Sequence, residues 1–249
     1  MILRKTIQML SNKLRKLKKT IKEIDKIHRS NDDAYALQFI LKLFPEYSYL
    51  PFTPFSLNPF TILHILNDIL FNDRKQILEF GSGISTIIIS RFIKINNLET
   101  KILSFDNNEG WLKIISKELE KYNCSESVNL VHSELSKHNK VTYKKYNNEY
   151  WYDLNEVNKN INTLTKKIDL VIVDGPSTDT SNYVRYTAIP VINEMLSKSY
   201  CIFLDDTKRP YEKEILLEWN IYLKGNLRYQ KVYGTITKGD NFSTNPLSH

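Results

Sequence analysis

The sequence is poor in cysteine, poor in glycine and free of long apolar runs. Its two cysteines, Cys124 and Cys201, are too few for a disulfide framework and lack the spacing of a metal site. Cys201 lies within an apolar run, which indicates a buried structural thiol in a reducing compartment. No apolar stretch approaches the roughly 18 residues that cross a membrane, and the first residues lack the pattern of a secretory leader. We therefore expect a cytoplasmic protein.

Length and composition indicate a folded protein with one main domain. The chain has 249 residues, of which 41% are hydrophobic and 12% aromatic, enough to bury a sizeable core. Charge is uneven: residues 1–30 carry ten basic and two acidic side chains, a net of +8, whereas the whole chain carries +7. The remainder therefore carries 7 minus 8, or −1. A near-neutral main domain makes nucleic acid an unlikely partner.

The basic N-terminal segment, residues 1–30, has a heptad pattern. Its apolar residues recur at alternating spacings of four and three: Leu3, Ile7, Leu10, Leu14, Leu17, Ile21 and Ile24. This pattern predicts an amphipathic helix with an apolar seam, as in a coiled-coil homodimer. A parallel pair would set Lys13 against Lys18 of the partner, however. Antiparallel pairing, docking on the chain's own body, a solvated helix, and peripheral contact with the anionic inner face of a membrane stay open.

Residues 31–75 are predicted to be a helical lead-in that packs on the main domain. Four prolines divide this segment into short pieces: Pro45, Pro51, Pro54 and Pro59. A helix is expected from Ser56 to Leu70, with Pro59 in its first turn.

The most informative stretch runs from Gln76 to Ile93. Gln76–Phe80 is a short apolar run, Gly81 and Gly83 follow it, and an apolar helix is predicted from Ile84. Glycine permits a positive φ and a close approach of backbone to ligand, and a helix N-terminus presents free amides. The stretch therefore predicts a nucleotide-cradling turn between a buried strand and a helix.

Strands and helices alternate after this turn. Further strands are predicted at residues 101–105, 128–131, 168–173 and 200–204, with helices at 109–122 and 183–196. The alternation predicts a doubly wound, Rossmann-like α/β domain with a mostly parallel sheet, over residues 76–249. Ligands of such sheets bind beyond the carboxyl ends of the strands. Acidic residues fall at those ends: Glu79, Asp106, Asp174, Asp205 and Asp206.

These residues resemble the motifs of class I S-adenosylmethionine-dependent methyltransferases. Glu79-Phe-Gly81-Ser-Gly83 looks like the first motif of that family, and Asp106 matches the acid that binds both ribose hydroxyls. The resemblance implies S-adenosylmethionine as the cofactor and the following residues as its contacts: Glu79, Gly81, Gly83, Ser85, Thr86, Asp106, Trp111 and Ser133.

An NAD(P)-dependent oxidoreductase is the alternative, because an acid about 20 residues past a glycine turn also suits a dinucleotide. Two features disfavour it. Thr86 stands where the third glycine of the dinucleotide motif would be, and no tyrosine is followed by a lysine four residues later.

Within the methyltransferases, Val171-Ile-Val-Asp174-Gly-Pro176 and Phe203-Leu-Asp205-Asp206 resemble segments of small-molecule and sugar O-methyltransferases. The resemblance implies Asp174 and Arg185 as catalytic residues. It also implies a Mg²⁺ site formed by Asp174, Asp205 and Asp206, with direct base catalysis by Asp174 as the alternative. Methyltransferases that modify nucleic-acid bases usually carry Asn/Asp-Pro-Pro-aromatic at the position of Asp174.

Arg209 and an aromatic cluster, Tyr150-Trp151-Tyr152, are the predicted substrate contacts. The cluster is either a stacking platform for a sugar or part of the core. The sequence thus predicts an O-methyltransferase acting on a hydroxyl of a small molecule or carbohydrate, such as a surface-polysaccharide sugar. A further alternative is a non-catalytic, membrane-associated scaffold that keeps the pocket for S-adenosylmethionine, the methyl donor.

Overall fold

The computed structural model describes residues 2–138, 150–179 and 181–246, with the side chains of residues 2–7 and 9 left out. The helices are α1 (Ile2–Leu41), α2 (Pro59–Phe71), α3 (Ile84–Ile95), α4 (Glu109–Lys121), α5 (Leu154–Ile161), α6 (Ala188–Ile192) and α7 (Pro210–Leu223). The strands are β1 (Gln76–Phe80), β2 (Lys101–Asp106), β3 (Val128–His132), β4 (Leu135–Lys137), β5 (Tyr150–Tyr152), β6 (Ile168–Val173), β7 (Leu196–Leu204), β8 (Asn226–Tyr229) and β9 (Gly234–Lys238).

A seven-stranded sheet in the order β3-β2-β1-β6-β7-β9-β8 forms the centre of the domain. The first five strands of this order are parallel, and β9 runs antiparallel to both β7 and β8. Hydrophobic clusters cover both faces of the sheet, so β1 is buried along its whole length and β6 is apolar except for Asp169. The predicted doubly wound, mostly parallel α/β fold is confirmed.

The strand order places the cavity. β1 lies between β2 and β6, which are its parallel neighbours. From β1 the chain adds β2 and β3 on one side of the sheet and then crosses to add β6 and β7 on the other side. The direction in which strands are added therefore reverses at β1. A crevice opens beyond the carboxyl ends of strands at such a point.

The helix predicted for residues 183–196 is broken into short pieces. Residues Val184–Thr187 and Asn193–Met195 form 3₁₀ turns on either side of the five-residue α6, and β7 begins already at Leu196. Pro190 has no N–H to donate to the Tyr186 carbonyl one turn back. That carbonyl instead accepts the indole N–H of Trp219 at 2.9 Å.

The sequence-based prediction did not include six elements, which are the strands β4, β5, β8 and β9 and the helices α5 and α7. The hairpin of β4 and β5 has only three residues in each strand, and the antiparallel pair β8 and β9 follows α7 at the end of the sheet. Tertiary contacts rather than local pattern decide whether strands of this length form.

The N-terminal helix is longer than predicted. It continues without a break from Ile2 to Leu41, so the boundary expected at residue 30 lies inside α1. Its last turns pack on the domain through the buried residues Ala36 and Ile40, and Asp32 forms an ion pair with Lys231 at 2.6 Å. Within the described ranges, no helix is both long and apolar enough to cross a membrane.

Candidate functional site

A cavity of about 670 Å³ lies beyond the carboxyl ends of β1, β2, β6 and β7. Eleven of the predicted site residues line it: Gly81, Gly83, Ser85, Asp106, Trp111, Tyr152, Asp174, Arg185, Asp205, Asp206 and Arg209. The fold therefore brings together residues that are up to 128 positions apart, counted from Gly81 to Arg209.

The turn after β1 forms the floor of the cavity. Gly81 has a positive φ of 97°, which side-chain-bearing residues rarely adopt. A Cβ at Gly81 would also lie 2.7 Å from the backbone nitrogen of Gly175, in the turn after β6. The two turns touch backbone to backbone, so the β1 side and the β6 side of the cavity are held in fixed relation.

Glu79 stabilises this turn from behind and does not line the cavity. Its fully buried carboxylate accepts hydrogen bonds from the hydroxyls of Ser85 (2.7 Å), Thr86 (2.5 Å) and Ser104 (2.6 Å). Burial raises the pKa of Glu79 to about 7, and the three hydroxyls oppose that rise. Thr86, also fully buried, accepts a hydrogen bond from the Gly83 amide at 2.9 Å. The structure thus gives both residues a supporting position, although cofactor contact was predicted for them.

Asp106 and Trp111 form the wall beside β2. The Asp106 carboxylate accepts a hydrogen bond from the Asn108 amide at 2.8 Å, and burial raises its pKa. The Trp111 indole N–H donates to the Ser82 carbonyl at 2.7 Å, which fixes the ring at the cavity wall. A fixed carboxylate next to a fixed aromatic ring can bind a ribose and an adjacent base.

Three carboxylates converge at the ends of β6 and β7. One oxygen each from Asp174, Asp205 and Asp206 lies within 4.8 Å of the others. Burial raises the pKa of Asp174 to about 6 and raises that of Asp205 well above its usual range, and mutual repulsion adds to both shifts. One oxygen of Asp205 is buried without a hydrogen-bond partner in the part of the chain that is described.

Arg185 lies against this acidic cluster and is itself buried. Its guanidinium is 3.3 Å from an Asp174 oxygen and 3.4 Å from an Asp206 oxygen, and it also donates to the Asp174 carbonyl. The half-exposed Arg209 reaches Asp206 at 2.9 Å. The two guanidiniums offset part of the repulsion among the carboxylates, since a nearby cation favours the ionised form of an acid.

The three carboxylates also fit a hard divalent cation. All their ligand atoms are oxygens, and the unpartnered Asp205 oxygen would gain a partner from an ion. Arg185 competes for the same oxygens, because it already contacts Asp174 and Asp206. The donor set is compatible with Mg²⁺, and the guanidiniums provide an alternative source of positive charge.

The predicted aromatic cluster divides between the core and the cavity. Trp151 is fully buried and packs on Phe80 with ring centroids 5.0 Å apart, so it belongs to the core. Tyr152 is also buried, yet it lines the cavity, and its hydroxyl has no partner among the described residues. Tyr150 is half-exposed and lies away from the cavity, as does the buried Ser133. Period-two alternation puts Trp151 on the face of β5 opposite to Tyr150 and Tyr152, and only Tyr152 of the latter two reaches the cavity.

Sequence reasoning did not identify the outer wall of the cavity. The segment 53–58 lines the mouth, and its Phe55 is 88% exposed. Lys208 lines the same mouth, and burial, together with nearby Arg29, lowers its pKa. The prolines of residues 45–59 indicated only a division into short pieces, and nothing local indicated that this segment faces the sheet edge.

No protein-family model matches the chain, and no curated protein matches it either. Solved structures do match it. They include a protein from Staphylococcus aureus provisionally assigned as a caffeoyl-CoA O-methyltransferase, 16% identical, with a TM-score of 0.54 over 83% of this chain and 99% of that one.

Two further matches are of the same kind. A precorrin-6y C5,15-methyltransferase from Geobacter metallireducens is 14% identical, with a TM-score of 0.51 over 78% of this chain and 96% of that one. An S-adenosylhomocysteine-bound methyltransferase from Podospora anserina is 14% identical, with a TM-score of 0.50 over 84% and 88% of the two chains. These similarities confirm the resemblance to class I methyltransferases at the level of the fold. Because one fold serves several acceptors, the chemistry has to be argued from the site.

Proposed function

We propose that this chain, which has the fold of the class I S-adenosylmethionine-dependent methyltransferases, transfers the methyl group of S-adenosylmethionine to a hydroxyl oxygen. One observation carries the proposal: Asp106 and Asp174, at the ends of the two strands that flank β1, face the same cavity across the glycine turn. A carboxylate for the ribose and a carboxylate for the acceptor then lie on opposite sides of one bound donor.

The donor would lie along the floor of the cavity. Asp106 would accept hydrogen bonds from the ribose hydroxyls, and Trp111 would contact the adenine. Gly81 and Gly83 would let the methionine portion approach the backbone. The sulfonium would then face Asp174 and the ring of Tyr152, both of which favour a cation.

Methyl transfer is a direct displacement. The acceptor oxygen bonds to the methyl carbon while the carbon–sulfur bond breaks, and the electron pair of that bond stays on sulfur, which becomes a neutral thioether. The acceptor hydroxyl loses its proton to a base. Alignment of the oxygen, the carbon and the sulfur is the main requirement, and a preorganised cavity supplies it.

Asp174 is the proposed base, positioned by Arg185. A carboxylate with a pKa of about 6 is largely ionised at neutral pH, yet it is more basic than an ordinary aspartate. If Mg²⁺ binds to Asp174, Asp205 and Asp206, it would lower the pKa of the acceptor hydroxyl. In that case Asp174 would hold the ion and orient the acceptor.

The acceptor is proposed to be a carbohydrate or another small polyhydroxylated molecule. The mouth of the cavity combines an exposed aromatic ring, Phe55, with the polar groups of Thr178, Lys208 and Arg209. Aromatic faces contact sugar rings, and polar groups around them hydrogen-bond to hydroxyls.

Titration calorimetry against S-adenosylhomocysteine and NAD separates this proposal from a nicotinamide enzyme. We expect binding of S-adenosylhomocysteine at micromolar or lower Kd and none of NAD. A second measurement follows the transfer of a labelled methyl group to a library of mono- and oligosaccharides. Tight donor binding with no methylation of any hydroxyl compound would support a non-catalytic scaffold, and preferential binding of NAD would overturn the assignment.

A further inference from the structure

An exposed apolar stripe runs along the N-terminal part of α1. Its members, each between 47% and 57% exposed, are Leu10, Leu14, Leu17, Ile21 and Ile24, and together they are called the seam. Leucine and isoleucine scattered singly on a surface need no explanation, but five in a row on one helix face mark an interaction surface. No described part of the chain covers these five side chains, so the seam is available to a partner.

The spacing of the seam favours another helix over a membrane surface. The five residues alternate strictly at four and three positions, which is the narrow a/d pattern of a coiled coil. A helix that lies in a membrane surface has a broader apolar face, usually with aromatic residues in it. The seam contains no aromatic residue. Lys19 and Lys26 occupy the heptad position opposite the seam, where they stay in solvent next to a partner helix.

Charges beside the seam select the orientation of the pair. In a parallel pair, Lys13 of each chain would face Lys18 of the other, which is repulsive. In an antiparallel pair that aligns Leu14 with Leu17 of the partner, Lys13 lies near Thr20 and Lys18 near Ser11. This alignment removes the repulsion between Lys13 and Lys18, and seam residues still contact seam residues of the partner helix.

The attachment of α1 to the domain leaves room for this partner. Asp32, Ala36 and Ile40 face the domain, and this face is rotated by roughly a quarter of a turn from the seam. An antiparallel arrangement also places the two domains at opposite ends of the helix pair, so they do not compete for the same space.

We propose that the seam is the dimer interface of this protein, formed by α1 of two copies in antiparallel orientation. The inference is independent of the chemistry of the cavity, since no seam residue lines it. It commits to a second copy of the chain as the partner of the N-terminal helix.

Light scattering on the full-length protein tests the interface. We expect a mass of twice 29.3 kDa. The seam variant Leu14→Glu with Leu17→Glu should fall to 29.3 kDa. The control Gln8→Glu with Asn12→Glu adds the same two negative charges to exposed positions away from the seam and should stay dimeric. Both variants should keep their affinity for S-adenosylhomocysteine, which shows that the domain is folded.

Disulfide formation tests the orientation. Protein carrying Leu10→Cys is mixed with protein carrying Ile21→Cys and oxidised, and the antiparallel alignment predicts a disulfide between positions 10 and 21. Two copies of position 10 would lie about 16 Å apart in that alignment, too far for a bond. Disulfides only between like positions would overturn the orientation. A wild-type mass of 29.3 kDa, with seam-dependent binding to phosphatidylglycerol vesicles, would overturn the dimer in favour of a membrane surface.

Discussion

Gly81 and Gly175 lie so close that neither can carry a side chain without displacing the other. A Cβ at Gly81 would be 2.7 Å from the Gly175 nitrogen, and a Cβ at Gly175 would be 2.8 Å from the Gly81 Cα. Because Gly81 follows β1 and Gly175 follows β6, this contact fixes the distance between the glycine turn and the acidic cluster. The geometry of the cavity depends on two residues that bring no chemical group to it.

Gly81→Ala should destabilise the fold much more than Gly83→Ala. The first substitution combines a positive φ with a backbone clash, for an expected loss of about 2–4 kcal/mol of unfolding free energy. Gly83 has an extended φ of −167°, and a Cβ there would be 3.9 Å from its nearest neighbour, the Ser85 hydroxyl. We expect a change within about 1 kcal/mol for Gly83→Ala. Urea unfolding of both variants measures the difference, and equal losses would contradict the proposed contact.

Asp106→Ala should weaken binding of S-adenosylhomocysteine by about 2–5 kcal/mol, because a partly buried carboxylate would no longer meet the ribose hydroxyls. Asp179→Ala is the matched control, since Asp179 is an exposed acid that lines the same cavity. It removes the same charge without the proposed contact. Calorimetry measures the affinity of both variants for S-adenosylhomocysteine. A similar loss of affinity in each would indicate that the overall negative charge of the cavity matters, rather than a contact of Asp106 with the ribose.

Asp174→Asn should leave binding of S-adenosylhomocysteine nearly intact and lower the rate of methyl transfer by about 10²-fold or more, because an amide cannot take the acceptor proton. The control Asp179→Asn should retain the wild-type rate. Wild-type transfer in Asp174→Asn would remove this residue from the mechanism.

Chelation distinguishes the two roles of Asp174. If the three aspartates hold Mg²⁺, EDTA should stop turnover and added Mg²⁺ should restore it. If Asp174 acts directly as the base, the rate should be the same with and without chelator. Donor binding is followed in parallel, so that loss of the fold is recognised.

Glu79 should make the protein less stable as pH rises. Its pKa in the fold is about 7, above its ordinary value of 4.5, so the folded state holds the proton more tightly than the unfolded chain does. The stabilisation is complete below the ordinary value and is lost as pH rises through about 7, by up to about 3 kcal/mol.

Glu79→Gln isolates this effect, because Asp174 and Asp205, whose pKa values burial also raises, remain in both proteins. The stability of the wild type relative to Glu79→Gln should fall between pH 5 and pH 8, as measured by unfolding in urea across a pH series. A constant difference across that range would show that Glu79 keeps an ordinary pKa in the fold.

Local sequence patterns were sufficient to predict many of the helices and strands of the domain. The bounds predicted for β1 and β6 agree with the structure, and α2 and α4 differ from prediction by a few residues at most. These elements have strong apolar runs, clear breakers or a proline in the first turn, all of which act over a few residues. The predicted helix at 183–196 is wrong: it is broken into short pieces around Pro190, and the Tyr186 carbonyl is bonded by the distant Trp219 indole instead.

Local patterns were enough to predict the doubly wound sheet and the acids at its carboxyl edge, because strand alternation and the glycine turn are local signals and parallel strands bring their ends to one edge. Contacts between segments distant in sequence determine which of those acids face the cavity. The Glu79 carboxylate lies behind the glycine turn, where it accepts hydrogen bonds from three hydroxyls, whereas Asp106 and Asp174 line the cavity. Packing also buries Trp151 in the core while Tyr152 lines the cavity, and it places residues 53–58 at the mouth. Side-chain direction and loop placement depend on contacts between distant segments, and no local pattern encodes them.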